Sequence, residues 1–225
     1  PAFLALGLIL TAVHEPPRQD RHPPRNPLSR AALAQLPPGY WAAVAVSAVF
    51  TLARFSEAFL ILRAAEAGLA PALVPLVLVG MNLVYALAAY PVGALSDRIG
   101  RRGLLVAGLA LLILADLVLA LVPGLSGVAV GVLIWGLHMG ATQGLLSALV
   151  ADAAPVALRG TAFGLFNLVT GIALLLASVI AGALWQGIGA KATFLTGALF
   201  AAVALAGVLW LGRAGLARPG SARRG

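Results

Sequence analysis

Two residues of opposite charge, Arg54 and Glu57, stand inside a long apolar stretch of this sequence. They are three residues apart, so on a helix they would be neighbours on one face. Ser47 and Thr51 precede them at helical spacing and would extend the same polar stripe. A cation and a carboxylate in such surroundings can bind a charged group of a solute or carry a proton. They can equally neutralise each other and orient the helix, and the residues leave both interpretations open.

Four more polar residues stand within apolar stretches. His138 titrates near neutral pH, so it is a candidate for proton coupling, the alternative being a buried neutral ring bonded to a neighbour. Asp116 precedes the end of its apolar run, Val122, by six residues, and we expect its carboxylate to reach water there, the alternative being a proton relay. Asn82 and Asn167 could line a cavity or tie helices together.

The composition defines the elements that must position these residues. Of 225 residues, 61% are hydrophobic and only 10% are charged, whereas soluble domains are about half apolar and about a quarter charged. The chain is therefore predicted to be an integral membrane protein whose surroundings are a lipid bilayer. Its net charge of +8 is not interpreted as nucleic-acid binding. The absence of cysteine excludes a thiolate metal site and a thiol nucleophile.

A membrane-spanning helix needs about 20 apolar residues, and the sequence has six apolar runs of that size. We predict an all-α, polytopic transmembrane helical bundle with six complete spans. The predicted spans are 40–63, 71–92, 104–122, 127–150, 160–185 and 192–211. The apolar run 1–13 is too short to span and is interpreted as the end of a preceding transmembrane helix. The predicted organisation adds a linker (14–38), the bundle (39–212) and a basic tail (213–225).

The basic residues are unevenly distributed between the connecting segments. The linker holds four arginines, the segment 98–102 three, the segment 151–159 one and the tail four, so twelve of the fifteen basic residues lie in alternate connections. Cytoplasmic loops of membrane proteins carry an excess of lysine and arginine. We therefore place the linker, the segment 98–102 and the C-terminus in the cytoplasm.

The segment 93–103, GALSDRIGRRG, places four charges within six positions between two apolar runs. Such a segment must lie at a membrane face. It resembles the signature loop of the major facilitator superfamily of secondary transporters, which joins the second and third helices of each six-helix half on the cytoplasmic side. The positions that carry the resemblance are Gly93, Leu95, Asp97, Arg98, Gly100, Arg101 and Arg102.

Two further stretches strengthen the resemblance. Residues 50–60, FTLARFSEAFL, are similar to the first helix of the second half in a group of bacterial members, and residues 159–164, RGTAFG, to the start of the penultimate helix. The resemblance implies the C-terminal six-helix half of such a transporter, preceded by the end of an N-terminal half that is missing from this sequence. It further implies alternating-access transport of a small solute in a bacterial inner membrane, with protons as the candidate coupling ion. No cofactor is implied.

The resemblance also implies a cytoplasmic gate. In the family, the aspartate at the position of Asp97 helps to latch the cytoplasmic side in the outward-open state. An anion there could cap the N-terminus of a facing helix. Arg101 or Arg102 would then reach Asp152 at the cytoplasmic end of the neighbouring span. The alternative is that the four charges only set the topology.

Transport is the function that the sequence favours most. A non-transporting six-span scaffold or partner subunit is the alternative from a different functional class. An enzyme is not expected, because the sequence contains no paired catalytic motif, metal-ligand cluster or phosphate-binding loop in a suitable context.

The predicted orientation can be tested with single cysteines, since no native cysteine interferes. A membrane-impermeant thiol reagent added to intact cells should label only external positions. The cytoplasmic test positions are Arg21, Arg98 and Arg218, and the external ones are Ala67, Ser126 and Gly189. Labelling of position 98 from outside would contradict the orientation.

Overall fold

The computed structural model describes Ser29 and residues 33–213, apart from the side chains of Ser96, Asp97 and residues 211–213. The predicted helix end (1–13), most of the linker and the tail beyond residue 213 lie outside the described residues. All regular structure in the described part is helical. The helices are α1 (Pro38–Ala53), α2 (Ala58–Glu66), α3 (Pro75–Leu121), α4 (Gly124–Thr142), α5 (Leu145–Ala153), α6 (Arg159–Gly187) and α7 (Ala190–Arg213).

These helices form six segments that are long and apolar enough to cross a membrane. Spans 1 to 6 are Pro38–Glu66, Pro71–Leu95, Arg98–Leu121, Gly124–Ala153, Val156–Gly187 and Ala190–Trp210. The predicted all-α fold with six spans is thereby confirmed. Span 1 begins with proline in its first turn, where the missing amide hydrogen costs little. Val122 and Pro123 separate span 3 from span 4, which begins at Gly124 with a φ of 74°.

Spans 1 and 4 were predicted as continuous helices, and both predictions are wrong in the same way. Span 1 is interrupted between α1 and α2, and Arg54 there has φ −102° and ψ 76°. Ala53 and Phe55 are buried while Arg54 between them is partly exposed, an alternation that suits an extended chain. Span 4 is interrupted between α4 and α5, where Gly144 has a φ of 82°. That left-handed conformation favours glycine.

The charged segment is helical for most of its length, so the connection is shorter than predicted. Spans 2 and 3 are two helices that follow each other directly within α3, and the non-helical residue where they join is Gly100, at φ 72° and ψ 164°. This backbone region is essentially restricted to glycine. Gly100 of the signature loop is therefore the point at which α3 is broken.

Span 4 packs against span 2 through two glycines. A methyl group built on Gly136 would lie 2.6 Å from the carbonyl oxygen of Met81, and one built on Gly140 would lie 2.9 Å from Cβ of Ala88. Small residues allow helix backbones to approach closely in membranes, where no hydrophobic effect drives association. Because residue number rises in the same direction along both helices, spans 2 and 4 are parallel.

Span 3 also packs against span 4, and these two spans run in opposite directions. Leu119 lies against Gly131, whereas Gly108 lies against Thr142. Spans 3 and 4 are therefore antiparallel, and so are spans 2 and 3. The chain reverses its direction at the charged segment, as a loop at a membrane face requires.

Contacts at the two ends show which connections lie together. Arg101 is paired with Asp152 at the end of span 4, and Arg102 donates a hydrogen bond to the carbonyl oxygen of Leu209 in span 6, at 3.1 Å. We call this the charged end of the bundle. At the opposite end, Nε of Arg63 donates to the carbonyl oxygen of Leu119, at 3.0 Å.

Substitution of Gly100 tests this reversal. Gly100→Ala should destabilise the protein by about 1–3 kcal/mol, because alanine is strained at that backbone conformation. Gly93→Ala is the matched control: it lies in the same segment, has no positive φ, and a methyl group there would meet nothing within 4 Å. Thermal unfolding in detergent measures both variants. Equal stability of the two would contradict the strained conformation at Gly100.

Candidate functional site

The interruption of span 1 lies against an aromatic cluster in the bundle interior. The Phe55 ring is 5.8 Å from Trp135 of span 4, 5.6 Å from Phe194 of span 6 and 5.2 Å from Phe59 of span 1, between ring centroids. Trp185 of span 5 lies 5.6 Å from Phe59. Phe55 of the non-helical segment thus contacts rings from two other spans, and Trp185 of span 5 belongs to the same cluster.

His138 lies in the same region and is completely buried. Its ring stacks on Phe50 at 5.7 Å, and its Nδ1 lies 2.8 Å from the carbonyl oxygen of Gly108 in span 3. Because a carbonyl only accepts, Nδ1 carries the hydrogen and Nε2 of the neutral ring is an acceptor. Within the described residues Nε2 has no partner, and neither does the indole Nε1 of Trp135. The bond to Gly108 fits a structural histidine, and its role in proton coupling stays a prediction.

Arg54 and Glu57 both lie at the interruption and are partly exposed. The prediction that they are neighbours on one helical face is wrong, because α1 ends at Ala53 and α2 begins only at Ala58. No ion pair within 4.0 Å joins them in the part of the chain that the structure describes.

The predicted polar stripe before Arg54 is satisfied within its own helix. The Ser47 hydroxyl donates to the carbonyl oxygen of Ala43 at 2.7 Å, and the Thr51 hydroxyl donates to that of Ser47 at 2.8 Å. Ser47 is also fully buried. These two hydroxyl groups therefore do not form an open polar surface with Arg54.

Asn82 and Asn167 lie apart from this cluster. Both are exposed on the outer faces of spans 2 and 5. Nδ2 of Asn82 donates to the carbonyl oxygen of Leu78, one turn earlier in its own helix, at 2.8 Å. The contacts in the described part bring neither side chain to Arg54 or His138.

Asp116 is the polar residue that sequence reasoning misjudged. We expected its carboxylate to reach water, but the residue is 0% exposed and neither carboxyl oxygen has a hydrogen-bond partner in the described part. The position of Asp116 along span 3 indicates how deep it lies in the membrane, but not the direction of its side chain. Its side chain is directed at Gly197 of span 6.

At the charged end, the structure brings Arg101 and Asp152 together, one of the two contacts expected for the signature loop. Arg101 also donates to the carbonyl oxygen of Ala148 at 3.3 Å. Arg102 contacts span 6 instead, and Arg98 is exposed. The predicted cap by Asp97 concerns a side chain outside the described residues. A role of this end as a gate stays a prediction.

Comparisons with known proteins agree with the arrangement of spans and the charged segment. The family model of the Major Facilitator Superfamily matches residues 42–224. The uncharacterized MFS-type transporter MJ1317 of Methanocaldococcus jannaschii is 33% identical over 193 residues, which are 83% of this chain and 48% of that protein. The inner membrane transport protein YajR of Escherichia coli is 29% identical over 144 residues, 64% of this chain and 31% of that protein.

The chain thus spans about half the length, or less, of these curated relatives. The family match covers most of the chain, including all six spans except the first residues of span 1. With six apolar helices and the charged turn between spans 2 and 3, the chain is an integral membrane protein that belongs to the major facilitator superfamily.

Proposed function

We propose that this chain is the C-terminal six-helix half of a secondary active transporter that moves a small solute by alternating access. The linker and the C-terminus are cytoplasmic, the membrane is a bacterial inner membrane, and an N-terminal half completes the cavity. The distribution of charge supports this orientation. The charged end carries Arg98, Arg101, Arg102 and Arg159, and the opposite end carries only Arg63 and Lys191 among the described basic side chains.

The observation that carries the proposal is the paired interruption of spans 1 and 4. Each half of such a transporter consists of two inverted repeats of three helices, so spans 1 and 4 occupy equivalent positions. Discontinuous helices near the bilayer midplane form the substrate and ion sites of many transporters. Arg54 lies in the middle of span 1, sixteen residues after its first residue and twelve before its last.

Arg54 indicates the chemistry of the solute. An arginine at the centre of a membrane helix costs at least about 2.5 kcal/mol unless it is paired or faces water. No carboxylate is within ion-pairing distance of Arg54 in the described part, and the residue is partly exposed, which supports an orientation of its guanidinium towards a water-filled cavity. A guanidinium binds carboxylate or phosphate through two parallel hydrogen bonds. The solute therefore carries an anionic group.

Glu57, at the same interruption, is the candidate proton carrier next to the bound solute. It is partly exposed, so water can deliver a proton to its carboxylate. Glu57 is three residues from Arg54 at the same interruption of span 1, so binding of an anion to Arg54 would change the field at Glu57. This supports proton-coupled rather than facilitated movement of the solute.

The charged end is proposed as the cytoplasmic gate. Arg101 and Asp152 join span 3 to span 4 within this half, while Asp97 would contact the N-terminal half. The side chains of Arg101 and Asp152 are 44% and 50% exposed, and such exposed pairs contribute only about 0–1 kcal/mol to stability. The pair is thus suited to hold one of two conformations rather than to maintain the fold.

Arg54 variants test the solute site. In proteoliposomes containing the complete protein, with a panel of labelled small organic anions, Arg54→Ala should weaken uptake of the transported anion about 10- to 100-fold. This corresponds to the loss of a charge-assisted hydrogen bond of about 1.5–3 kcal/mol. Arg54→Lys should retain part of the affinity, and Glu57→Gln should lose proton-driven accumulation while solute exchange continues.

Protein yield separates this site from a structural pair. If Arg54 and Glu57 only stabilised each other, each single alanine variant would lower yield and the double variant would restore it. Normal yield with unchanged uptake in Arg54→Ala would contradict the solute site. A wild type that takes up no solute would favour the alternative of a non-transporting scaffold.

The gate is tested by a double-mutant cycle of Arg101→Ala and Asp152→Ala. Both single variants should accumulate normally and unfold within about 1 kcal/mol of the wild type, because the pair is exposed. Both should impair transport, and the double variant should impair it no more than either single one, because the two residues act as a pair. Additive losses, or normal transport in all three, would contradict the gate.

A further inference from the structure

Asp116 combines complete burial with an unsatisfied carboxyl group. It is 0% exposed, and both Oδ1 and Oδ2 lack a hydrogen-bond partner among the described residues. Native proteins pair almost all of their buried polar atoms, so such a group requires an explanation. The proposed solute site and gate do not use it.

The surroundings of this carboxyl group are apolar and closely packed. A methyl group built on Gly197 of span 6 would lie 2.7 Å from Oδ2 of Asp116 and also 2.7 Å from Cε1 of Phe55. The carboxyl group, the glycine and the Phe55 ring therefore meet with no room for another atom. Phe55 belongs to the interruption of span 1, so Asp116 lies directly behind the segment that carries Arg54.

The charged and titratable groups of the neighbouring spans are directed elsewhere. In span 1, Arg54 and Glu57 are partly exposed, and Arg63 binds the carbonyl oxygens of Leu119 and Val122. In span 4, His138 binds Gly108, and in span 6, Lys191 is exposed. In the described part none of them bonds or pairs with Asp116. An ionised carboxylate in such a site would be strongly disfavoured, because Asp116 is closed off from solvent and no described residue supplies a counter-charge.

We propose that Asp116 is a proton-binding site of the transporter, occupied as the neutral carboxylic acid in this conformation. When the interruption of span 1 and span 6 separate around Gly197, water enters, and the O–H bond breaks to give a carboxylate and a hydrated proton. The reverse step takes a proton from water on closure. This inference rests on the proposed alternating access and assigns a coupling residue in addition to Glu57.

A proton fits this site better than a metal ion does. Hard metal cations need several oxygen ligands, and Asp116 is faced by an aromatic ring and a glycine. A proton needs one carboxyl oxygen. The described residues include no group of three or more His, Cys, Asp or Glu that could hold a metal ion.

Infrared spectroscopy of the complete protein in lipid tests the site directly. At neutral pH the wild type should show the C=O stretching band of a buried carboxylic acid, which Asp116→Asn should lack. Glu66→Gln is the control and should keep the band, because Glu66 is an exposed carboxylate paired with Arg63. Loss of the same band in both variants, or in neither, would overturn the proposal.

Hydrogen–deuterium exchange tests whether water is excluded from the Asp116 carboxyl group. In D2O the band should shift slowly in the wild type and faster in Gly197→Ala, where the added methyl group forces span 6 away from Asp116. Gly207→Ala in the same span meets nothing within 4 Å and should exchange like the wild type. If Gly197→Ala accumulates poorly, Phe55→Ala opens the site from the other side. Equal exchange rates in the wild type and all variants would overturn the exclusion of water from this carboxyl group.

Transport then tests coupling. Asp116→Asn cannot release a proton, so it should lose proton-driven accumulation of solute at least 10-fold while solute exchange continues. Proton-driven accumulation equal to that of the wild type would overturn the coupling role, as would dependence on Na⁺ instead of protons. The infrared result does not depend on transport. A wild type that transports nothing would therefore refute the proposed function, and the band would still decide whether Asp116 binds a proton.

Discussion

A polar group inside a bilayer must find its partner within the protein or face water, and this constraint explains most of the structure. The hydroxyl groups of Ser47 and Thr51 bond to their own helix, and Arg63, Arg101 and Arg102 at the bundle ends bind carbonyl oxygens or a carboxylate. The exceptions are concentrated near the interruption of span 1. They are the Arg54 guanidinium, the Asp116 carboxyl group and one ring nitrogen each of Trp135 and His138, which have no ion pair or hydrogen bond in the described part.

Those exceptions lie near the interruption of span 1, which connects packing with the proposed function. Span 1 breaks where Phe55 enters the aromatic cluster, and span 4 breaks at Gly144, one turn beyond the glycine that packs against span 2. Close packing of rings and glycines makes the interior rigid. In the proposed alternating access, the interrupted segments would allow spans 1 and 4 to change conformation without breaking continuous helices.

Hydropathy and charge predicted the six spans and the turn between spans 2 and 3, since these follow from length and from the cost of placing charge in lipid. The contact of Asp152 with Arg101 or Arg102 was expected from the resemblance to the signature loop, and Arg101 makes it. The interruption at Arg54 was not predictable, because no glycine or proline marks it. Gly144 stood in a run of glycines that suggested packing alone. The burial of Asp116 was missed because the position of a residue along a helix indicates depth, whereas the direction of its side chain depends on which helices pack against it.

The proposed solute site requires that the interruption of span 1 faces a water-filled pathway. Ser56 lies within the interruption and is partly exposed, and the sequence has no cysteine, so Ser56→Cys provides a unique thiol in this chain. In the complete protein in lipid, with any other cysteine removed, it can be treated with a water-soluble or a lipid-partitioning thiol reagent. We predict that the Ser56→Cys thiol reacts rapidly with the water-soluble reagent. Reaction with the lipid-partitioning reagent alone would contradict a water-filled pathway at the interruption of span 1.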